Sequence, residues 1–220
     1  NAETPSERTV RIGVLGGTFD PVHLGHLVIA QDAAHVQGLD TVVFVPARTP
    51  PHKLDVAITP AAHRVAMLMR ATEDDDRFIV SRVDLDREGP HYTVDMLPLL
   101  RDDLGLGAHD DLYFVMGADS LAELPTWRDP LGIARQARLL VLDRPGYAAD
   151  WTELERELPG IGAYVETIRV PLIGVSGTAL RRRVRQGRPI RYLVPEAVEA
   201  YIRDHDLYRG DGGEPGRGQR

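Results

Sequence analysis

The stretch GGTFDPVHLGH, Gly16 to His26, has two glycines and two histidines directly after an apolar segment, Val10 to Leu15. Glycines at a strand's carboxyl end remove the Cβ atoms that would block a ligand, and the start of the next helix offers unpaired N–H groups with partial positive charge. His23 and His26 are three residues apart, so on a helix both side chains lie on one face near its N-terminus. Imidazoles there could donate hydrogen bonds to phosphate oxygens and stabilise charge during transfer. The stretch therefore predicts a site for phosphate chemistry.

The spacing of the histidine pair also fits two surface histidines, a helix cap, or part of a zinc site. Zinc would need further ligands, and HLGH lacks the glutamate and the spacing of HExxH. The chain has no GxxxxGK[ST], and its glycine-rich turn is not the GxGxxG of dinucleotide-binding folds. The turn is therefore typical of neither common phosphate-binding loop.

Segments with strand and helix character alternate along the chain, which indicates a mostly parallel sheet covered on both faces. We predict an α/β fold with a Rossmann-like, doubly wound sheet and C-terminal helices, in a single domain of residues 1–209. The Gly-rich polar tail of residues 210–220 is predicted to be disordered. The predicted strands are Val10 to Leu15, Thr41 to Pro46, Phe78 to Val83, Leu112 to Met116, Arg138 to Leu142 and Tyr164 to Val170. The predicted helices are His23 to Val36, one starting at Thr59-Pro60, Val94 to Leu104, Asp129 to Gln136, Trp151 to Leu158, Gly177 to Gln186 and Pro195 to Asp204. Gly38 is predicted to stop the first of these helices.

Composition narrows the class of protein. The 220 residues include no cysteine, which excludes disulfides and thiolate chemistry, and the formal net charge is −7. No apolar run approaches the roughly 20 residues of a membrane-spanning helix, so we expect a cytoplasmic protein without a membrane partner. The basic residues cluster between Ala179 and Arg188. A local basic patch on an acidic chain suits a small phosphorylated ligand better than nucleic acid. The sequence leaves a homo-oligomer open.

Gly16 to His26 resembles the GGTFDPxHxGH signature of the HxGH nucleotidylyltransferase superfamily, whose members transfer a nucleoside monophosphate and release pyrophosphate. Later segments, in order and spacing, resemble the bacterial nicotinate mononucleotide adenylyltransferases. These segments are FVPARTPPHK (Phe44 to Lys53), GPHYTVDML (Gly89 to Leu97), YFVMGADSLAELPTW (Tyr113 to Trp127), LDRPGY (Leu142 to Tyr147), VSGTALR (Val175 to Arg181) and YLVPEAVEAYIRDHDLY (Tyr192 to Tyr208).

This resemblance implies transfer of AMP from ATP to nicotinate mononucleotide, in NAD biosynthesis, giving nicotinate adenine dinucleotide and pyrophosphate. The transfer would be direct and in line, without a covalent intermediate, and Mg²⁺ would accompany ATP. Two alternatives stay open from the sequence. One is a pantetheine-phosphate or other mononucleotide adenylyltransferase, and the other is a noncatalytic ATP-binding sensor.

Site residues follow from the resemblance together with their side-chain chemistry. The catalytic candidates are His23, His26 and Arg181. The ATP-binding candidates are Gly16, Gly17, Thr18, Phe19, Gly25, Gly117, Asp119, Ser176 and Thr178. The mononucleotide-binding candidates are Lys53, Tyr92, Thr93, Trp127 and Arg144. No protein metal ligands are predicted.

Several of these residues could equally have ordinary structural roles. Asp119 and Ser176 could be helix caps. Trp127 and Tyr92 could pack in the core, and Lys53 and Arg144 could be solvent-facing loop residues. Gly177 stands where the family usually has a small hydroxyl residue, and the segment Ala47 to Thr59 could be a lid.

Overall fold

The computed structural model describes residues 8–48, 58–89, 91–143, 150–171 and 173–209. The strands are β1 Arg11–Gly17, β2 Thr41–Pro46, β3 Phe78–Val80, β4 Asp111–Gly117, β5 Arg138–Asp143 and β6 Val165–Arg169. The α-helices are α1 Leu24–Gln37, α2 Ala61–Thr72, α3 Val83–Asp86, α4 Thr93–Asp103, α5 Ala118–Glu123, α6 Pro130–Gln136, α7 Trp151–Glu157, α8 Gly177–Arg185 and α9 Glu196–Asp204. Short 3₁₀ turns lie at Leu124–Thr126 and Ile161–Tyr164.

The described strands form one parallel sheet in the order β3-β2-β1-β4-β5-β6. The chain leaves β1 towards β2 on one side and later returns to pair β4 on the other, so the strand order reverses between β1 and β4. At such a reversal, the connections leave a crevice beyond the carboxyl ends of the strands. The predicted doubly wound sheet is confirmed, and its crevice lies beside the signature stretch.

Helices cover both faces of the sheet because each central strand is apolar on both sides. Along β4, Tyr113 and Val115 face a core that includes α1, α2, α8 and α9, whereas Phe114 and Met116 face a core that includes α4 to α7. Helix α1 ends where Gly38 takes a left-handed φ of 59° and donates its N–H to the Ala34 carbonyl, as predicted from the sequence.

Most predicted boundaries shift by one or two residues, and larger differences occur near β1, β3 and β4. Strand β1 continues through Gly17, which pairs with Pro46, so the glycines belong to the strand. The edge strand β3 ends at Val80, and Ser81 Oγ accepts the Val83 N–H at 3.2 Å, which starts the unpredicted short helix α3. Helix α5, directly after β4, was also not predicted as an element, since six residues carry too little periodicity to identify.

Several predictions are not tested by the described residues. The tail at 210–220 and most of the segment between Ala47 and Thr59 lie outside them. Within the described ranges, no helix is long and apolar enough to cross a membrane. The single domain of residues 1–209, the cytoplasmic location and the oligomeric state stay predictions.

Candidate active site

Two cavities lie at the carboxyl edge of the sheet, and consecutive residues at the end of β1 separate them. Gly16 and Gly17 line a cavity of about 290 Å³, here called the aromatic cavity, together with Phe114 and Trp127. Thr18 and the residues that follow line a second cavity of about 730 Å³, here called the signature cavity. The signature cavity also includes His23, Gly25, His26, Asp119, Ser176, Thr178 and Arg181. Most of the predicted site residues within the described ranges are thus brought to one of two neighbouring spaces.

His23 and His26 form a stacked pair at the start of α1. Their ring centroids are 3.8 Å apart with an interplanar angle of 24°. His23 is the residue before the helix, and its backbone N–H donates to His26 Nδ1 at 3.3 Å. The helix-cap role therefore holds for His26, and it leaves the rest of that ring available to the cavity. His23 Nδ1 is buried and has no hydrogen-bond partner among the described residues.

Burial keeps both imidazoles neutral. Desolvation lowers the pKa of His23 to about 4. Desolvation, and to a smaller extent the neighbouring His23, lowers the pKa of His26 to about 3. A neutral imidazole has one N–H donor and one acceptor nitrogen. No group of three His, Cys, Asp or Glu side chains within the described ranges could hold a metal ion, so the zinc alternative has no support there.

Two small or buried residues support the histidine pair. A Cβ atom on Gly25 would lie 3.1 Å from the His23 ring, so a side chain there would press on it. Phe19, with a left-handed φ of 49°, is only 2% exposed, and its ring meets the His26 ring edge-on at 4.9 Å. Phe19 therefore packs against His26, and it also lines the signature cavity with the other predicted ATP-binding residues.

The N-terminus of α8 forms the opposite wall of the signature cavity. Ser176 Oγ accepts the Ala179 N–H at 3.2 Å, so its role as a helix cap is confirmed. Arg181 Nη1 donates to the Asp20 carbonyl at 2.6 Å, and Nη2 donates to Thr178 Oγ1 at 3.4 Å. This places a guanidinium beside the cavity that contains the histidines.

Close packing explains why residue 177 is a glycine, and the sequence alone did not show this. A Cβ atom at this position would lie 2.7 Å from the carbonyl oxygen of Asp20, closer than Cβ atoms are found to real neighbours. Because Gly177 has no side chain, the first turn of α8 can lie directly against the signature stretch.

Gly117 is the last residue of β4, and Asp119 lies two residues later at the same edge of the sheet. Gly117 is the cap residue of α5, so the alternative in which Asp119 caps this helix is wrong. Asp119 lies exposed in the first turn of α5 and lines the signature cavity. Gly117 is not among the described residues that line either cavity.

Aromatic and hydroxyl side chains line the aromatic cavity. Tyr92 and Thr93 begin α4, and both line the cavity. Trp127 meets Phe114 edge-on with ring centroids 6.1 Å apart, and the Arg128 guanidinium lies 4.9 Å from the Tyr92 ring centroid. An apolar, aromatic wall with hydroxyls and a helix start at one end suits a heteroaromatic ring that carries an acid group.

Sequence reasoning missed several residues here. His91 and Asp84 line the aromatic cavity, with His91 Nδ1 3.5 Å from Asp84 Oδ1 and Arg87 paired to the same carboxylate oxygen at 2.8 Å. His91 could have been identified from the sequence, because it directly precedes the predicted site residues Tyr92 and Thr93. Asp20 and Tyr208 were also given no role, although each lies within a matched segment. Lys53 and Arg144 lie outside the described residues, so their predicted roles stay predictions.

A family model for cytidylyltransferase-like proteins matches residues 14–183. The chain belongs to this family of nucleotidyltransferases. It is 47% identical over 199 residues to a Thermomicrobium roseum protein named "Probable nicotinate-nucleotide adenylyltransferase", covering 90% of this chain and 92% of that one. A Thermus thermophilus protein of the same name is 46% identical over 200 residues, covering 91% of this chain and 100% of that one.

A solved structure supports the fold. The Plasmodium falciparum nicotinic acid mononucleotide adenylyltransferase complexed with NaAD superposes with a TM-score of 0.71, covering 90% of this chain and 97% of that chain. The two sequences are 16% identical, so this likeness concerns the fold alone.

Proposed function

We propose that the chain transfers AMP from ATP to nicotinate mononucleotide, giving nicotinate adenine dinucleotide and pyrophosphate in NAD biosynthesis. The two bacterial relatives, which align with about nine-tenths of this chain, are named as probable nicotinate-nucleotide adenylyltransferases. The structural observation that carries the proposal is the division at the end of β1. One cavity with two histidines and an arginine lies next to one with an aromatic wall, so a polyphosphate and a ring can be held on either side of Gly17 and Thr18.

The reaction needs alignment and charge stabilisation more than proton transfer. A phosphate oxygen of the mononucleotide attacks the α-phosphorus of ATP, a new P–O bond forms, and the bond to the β-phosphate breaks on the opposite side. The attacking phosphate is already anionic near neutral pH, so no general base and no covalent enzyme intermediate are required. The protein's task is to hold both reactants in line and to stabilise the charge on the transferring group.

We assign the signature cavity to ATP. His23 and His26 face the phosphates, His26 nearest the α-phosphate, and Arg181 with the start of α8 holds the departing pyrophosphate. Thr18, Gly25, Asp119, Ser176 and Thr178 line the same cavity. Gly16 and Gly17 line the aromatic cavity, so their part is to keep the space between the two substrates free of side chains.

We assign the aromatic cavity to the mononucleotide. Trp127 offers its face to the pyridine ring, and Tyr92 and Thr93 at the start of α4 offer hydroxyls and N–H groups to the carboxylate. Lys53 and Arg144 remain candidates for the mononucleotide phosphate.

Mg²⁺ would enter with ATP. Asp119 lines the signature cavity, and the described residues contain no cluster of three metal-binding side chains. This donor set suits a magnesium ion held mainly by phosphate oxygens and water, which is the usual coordination of Mg²⁺ with nucleotides. When bound, Mg²⁺ would neutralise charge on the triphosphate and hold its oxygens in place.

Pyrophosphate release by purified protein tests the proposal. ATP and Mg²⁺ would be supplied with nicotinate mononucleotide, nicotinamide mononucleotide or phosphopantetheine under matched conditions. We expect the highest kcat/KM with nicotinate mononucleotide. A higher value with phosphopantetheine would favour the other adenylyltransferase, and ATP binding without pyrophosphate release from any acceptor would favour the sensor.

A further inference from the structure

Asp20, in the signature stretch, joins three distant parts of the chain. The residue is 5% exposed, and both carboxylate oxygens accept hydrogen bonds. Oδ1 accepts the hydroxyl of Tyr208 at 2.6 Å, and Oδ2 accepts the Thr59 N–H at 3.2 Å. Its backbone carbonyl accepts Arg181 Nη1 at 2.6 Å. One buried residue therefore contacts the segment before α2, helix α8 and the chain that follows α9.

The carboxylate of Asp20 also lies close to the guanidinium of Arg181 beside the signature cavity. Arg181 Nη1 lies 3.8 Å from Asp20 Oδ2, in addition to its bond with the backbone carbonyl. A buried carboxylate is costly unless its oxygens are hydrogen-bonded and its charge is balanced. Tyr208 occupies Oδ1, Arg181 provides a positive charge beside Oδ2, and the buried Arg64 guanidinium also interacts electrostatically with Asp20.

Tyr208 is suited to be a permanent donor in this arrangement. Burial, and then its hydrogen bond with Asp20, raise the pKa of the Tyr208 hydroxyl far above its ordinary value. The proton consequently stays on the phenol oxygen, and the hydroxyl donates to the carboxylate throughout the working pH range. Losing the hydroxyl would leave a buried carboxylate oxygen without that donor.

Movement of Asp20 would be transmitted directly to α8. The position that a Cβ atom on Gly177 would occupy is 2.7 Å from the Asp20 carbonyl oxygen, so the first turn of α8 rests on this peptide group. Arg181 is held by the same carbonyl one turn later. The Asp20 peptide thus sets where the start of α8 and the Arg181 guanidinium lie relative to His23 and His26.

We propose that Tyr208 is a positioning residue for the transfer reaction. Its hydroxyl fixes the Asp20 carboxylate, and through Asp20 it fixes Arg181 and the start of α8 against the histidine pair. Tyr208 is absent from the described residues that line either cavity, so it acts through Asp20 and does not touch a substrate. The proposal rests on the proposed function for its kinetic readout.

Tyr208→Phe is the direct test because it removes one oxygen and keeps the ring. We expect kcat/KM for ATP to fall about 10- to 100-fold, as for loss of a hydrogen bond to a charged group. The KM for nicotinate mononucleotide should stay within about twofold, because the aromatic cavity does not involve Asp20. Tyr192→Phe, which makes the same change at an 80% exposed tyrosine, should match the wild-type enzyme.

A second experiment separates positioning of Arg181 from general stability. In a double-mutant cycle, Tyr208→Phe should cost much less in kcat/KM for ATP when Arg181→Lys is already present. A Tyr208→Phe enzyme with unchanged ATP kinetics would overturn the proposal. An equal rise in the KM values for both substrates, or additive effects in the cycle, would also overturn it by assigning a merely structural role.

A variant of Asp20 and a binding measurement cover the cases in which Tyr208→Phe does not fold or the protein releases no pyrophosphate. Asp20→Asn weakens the same link from the other side, because it removes the carboxylate charge and one of the two acceptor oxygens. If Tyr208→Phe does not fold, Asp20→Asn must show the ATP-selective loss or the proposal fails. If the wild-type protein releases no pyrophosphate, the proposed function fails by itself. Calorimetric binding of ATP with Mg²⁺ then decides the role of Tyr208, with weaker binding by Tyr208→Phe as the expected result and equal binding as the contrary one.

Discussion

The His23 and His26 rings stack with their centroids 3.8 Å apart at the N-terminal end of α1, and both are neutral because they are buried. The pKa of His23 falls from 6.5 to about 4 on folding, so the unfolded chain binds its proton more readily. Stability from this group is therefore lost as the pH falls through 6.5, and the loss is complete near pH 4. This should cost up to about 3 kcal/mol in the free energy of unfolding.

Chemical denaturation between pH 7 and pH 4 measures this loss. His23→Gln should show a shallower decline than the wild-type protein over this range. His35→Gln, which changes an exposed histidine on the same helix, should follow the wild-type curve. Parallel curves for His23→Gln and wild type would mean that His23 is protonated as easily in the folded protein.

His26→Ala should chiefly depress turnover. The imidazole faces the signature cavity, and loss of one such group at a transferring phosphate typically lowers kcat by about 100-fold or more. Because His26 Nδ1 also accepts the His23 N–H, His26→Asn serves as the control that offers another acceptor to the helix start. Steady-state pyrophosphate release should show a low kcat in both variants. A near-normal kcat in His26→Ala would contradict the role.

Gly177→Ala tests the contact between α8 and the signature stretch. Alanine usually favours a helix over glycine, but here its Cβ would lie 2.7 Å from the Asp20 carbonyl oxygen. We expect a loss of about 1–3 kcal/mol in unfolding free energy and a higher KM for ATP. Gly107→Ala, where the nearest heavy atom to a Cβ is 3.6 Å away, should leave both quantities near wild type. A stabilised Gly177→Ala variant would contradict the predicted clash.

Arg64→Met should be strongly destabilising. Arg64 is 1% exposed, and its guanidinium donates to the carbonyls of Thr59 at 2.9 Å, Thr18 at 2.7 Å and Arg48 at 3.3 Å. Removing the guanidinium takes the donor from all three carbonyls and leaves a space at a fully buried position, with an expected cost of about 3 kcal/mol or more. Arg203→Met, at an exposed arginine of α9, should change stability by less than about 0.5 kcal/mol. Equal effects of the two changes in thermal unfolding would contradict this account.

Local patterns predicted the parts of the site that lie close together in the sequence. The pair His23 and His26 is one helical turn apart, so its shared face follows from the helix period. The glycine stop at Gly38 and the apolar strands were also readable, because they depend on neighbouring residues. The parallel sheet then brings the ends of β1 and β4 to one edge, which is why matched segments a hundred residues apart meet there.

Contacts that depend on tertiary packing were beyond the sequence. The bond between Tyr208 and Asp20 spans 188 residues, and neither position belongs to a periodic pattern that predicts it. Glycine is needed at residue 177 because two backbone segments approach closely there, and residue spacing in the sequence does not predict such a contact. The cap of α5 is Gly117 instead of Asp119, a difference of two residues that depends on where β4 ends.

The two tryptophans allow a direct test of the aromatic cavity. Trp127 lines this cavity, whereas Trp151 is 44% exposed and begins α7. In a Trp151→Phe protein, nicotinate mononucleotide should quench the remaining fluorescence, because a ring stacked on the indole changes its surroundings. In a Trp127→Phe protein the signal should not respond. Trp127→Ala should raise the KM for the mononucleotide about tenfold through loss of stacking, while the KM for ATP stays near wild type. Quenching that persists in Trp127→Phe, or a raised KM for ATP alone in Trp127→Ala, would place the mononucleotide elsewhere.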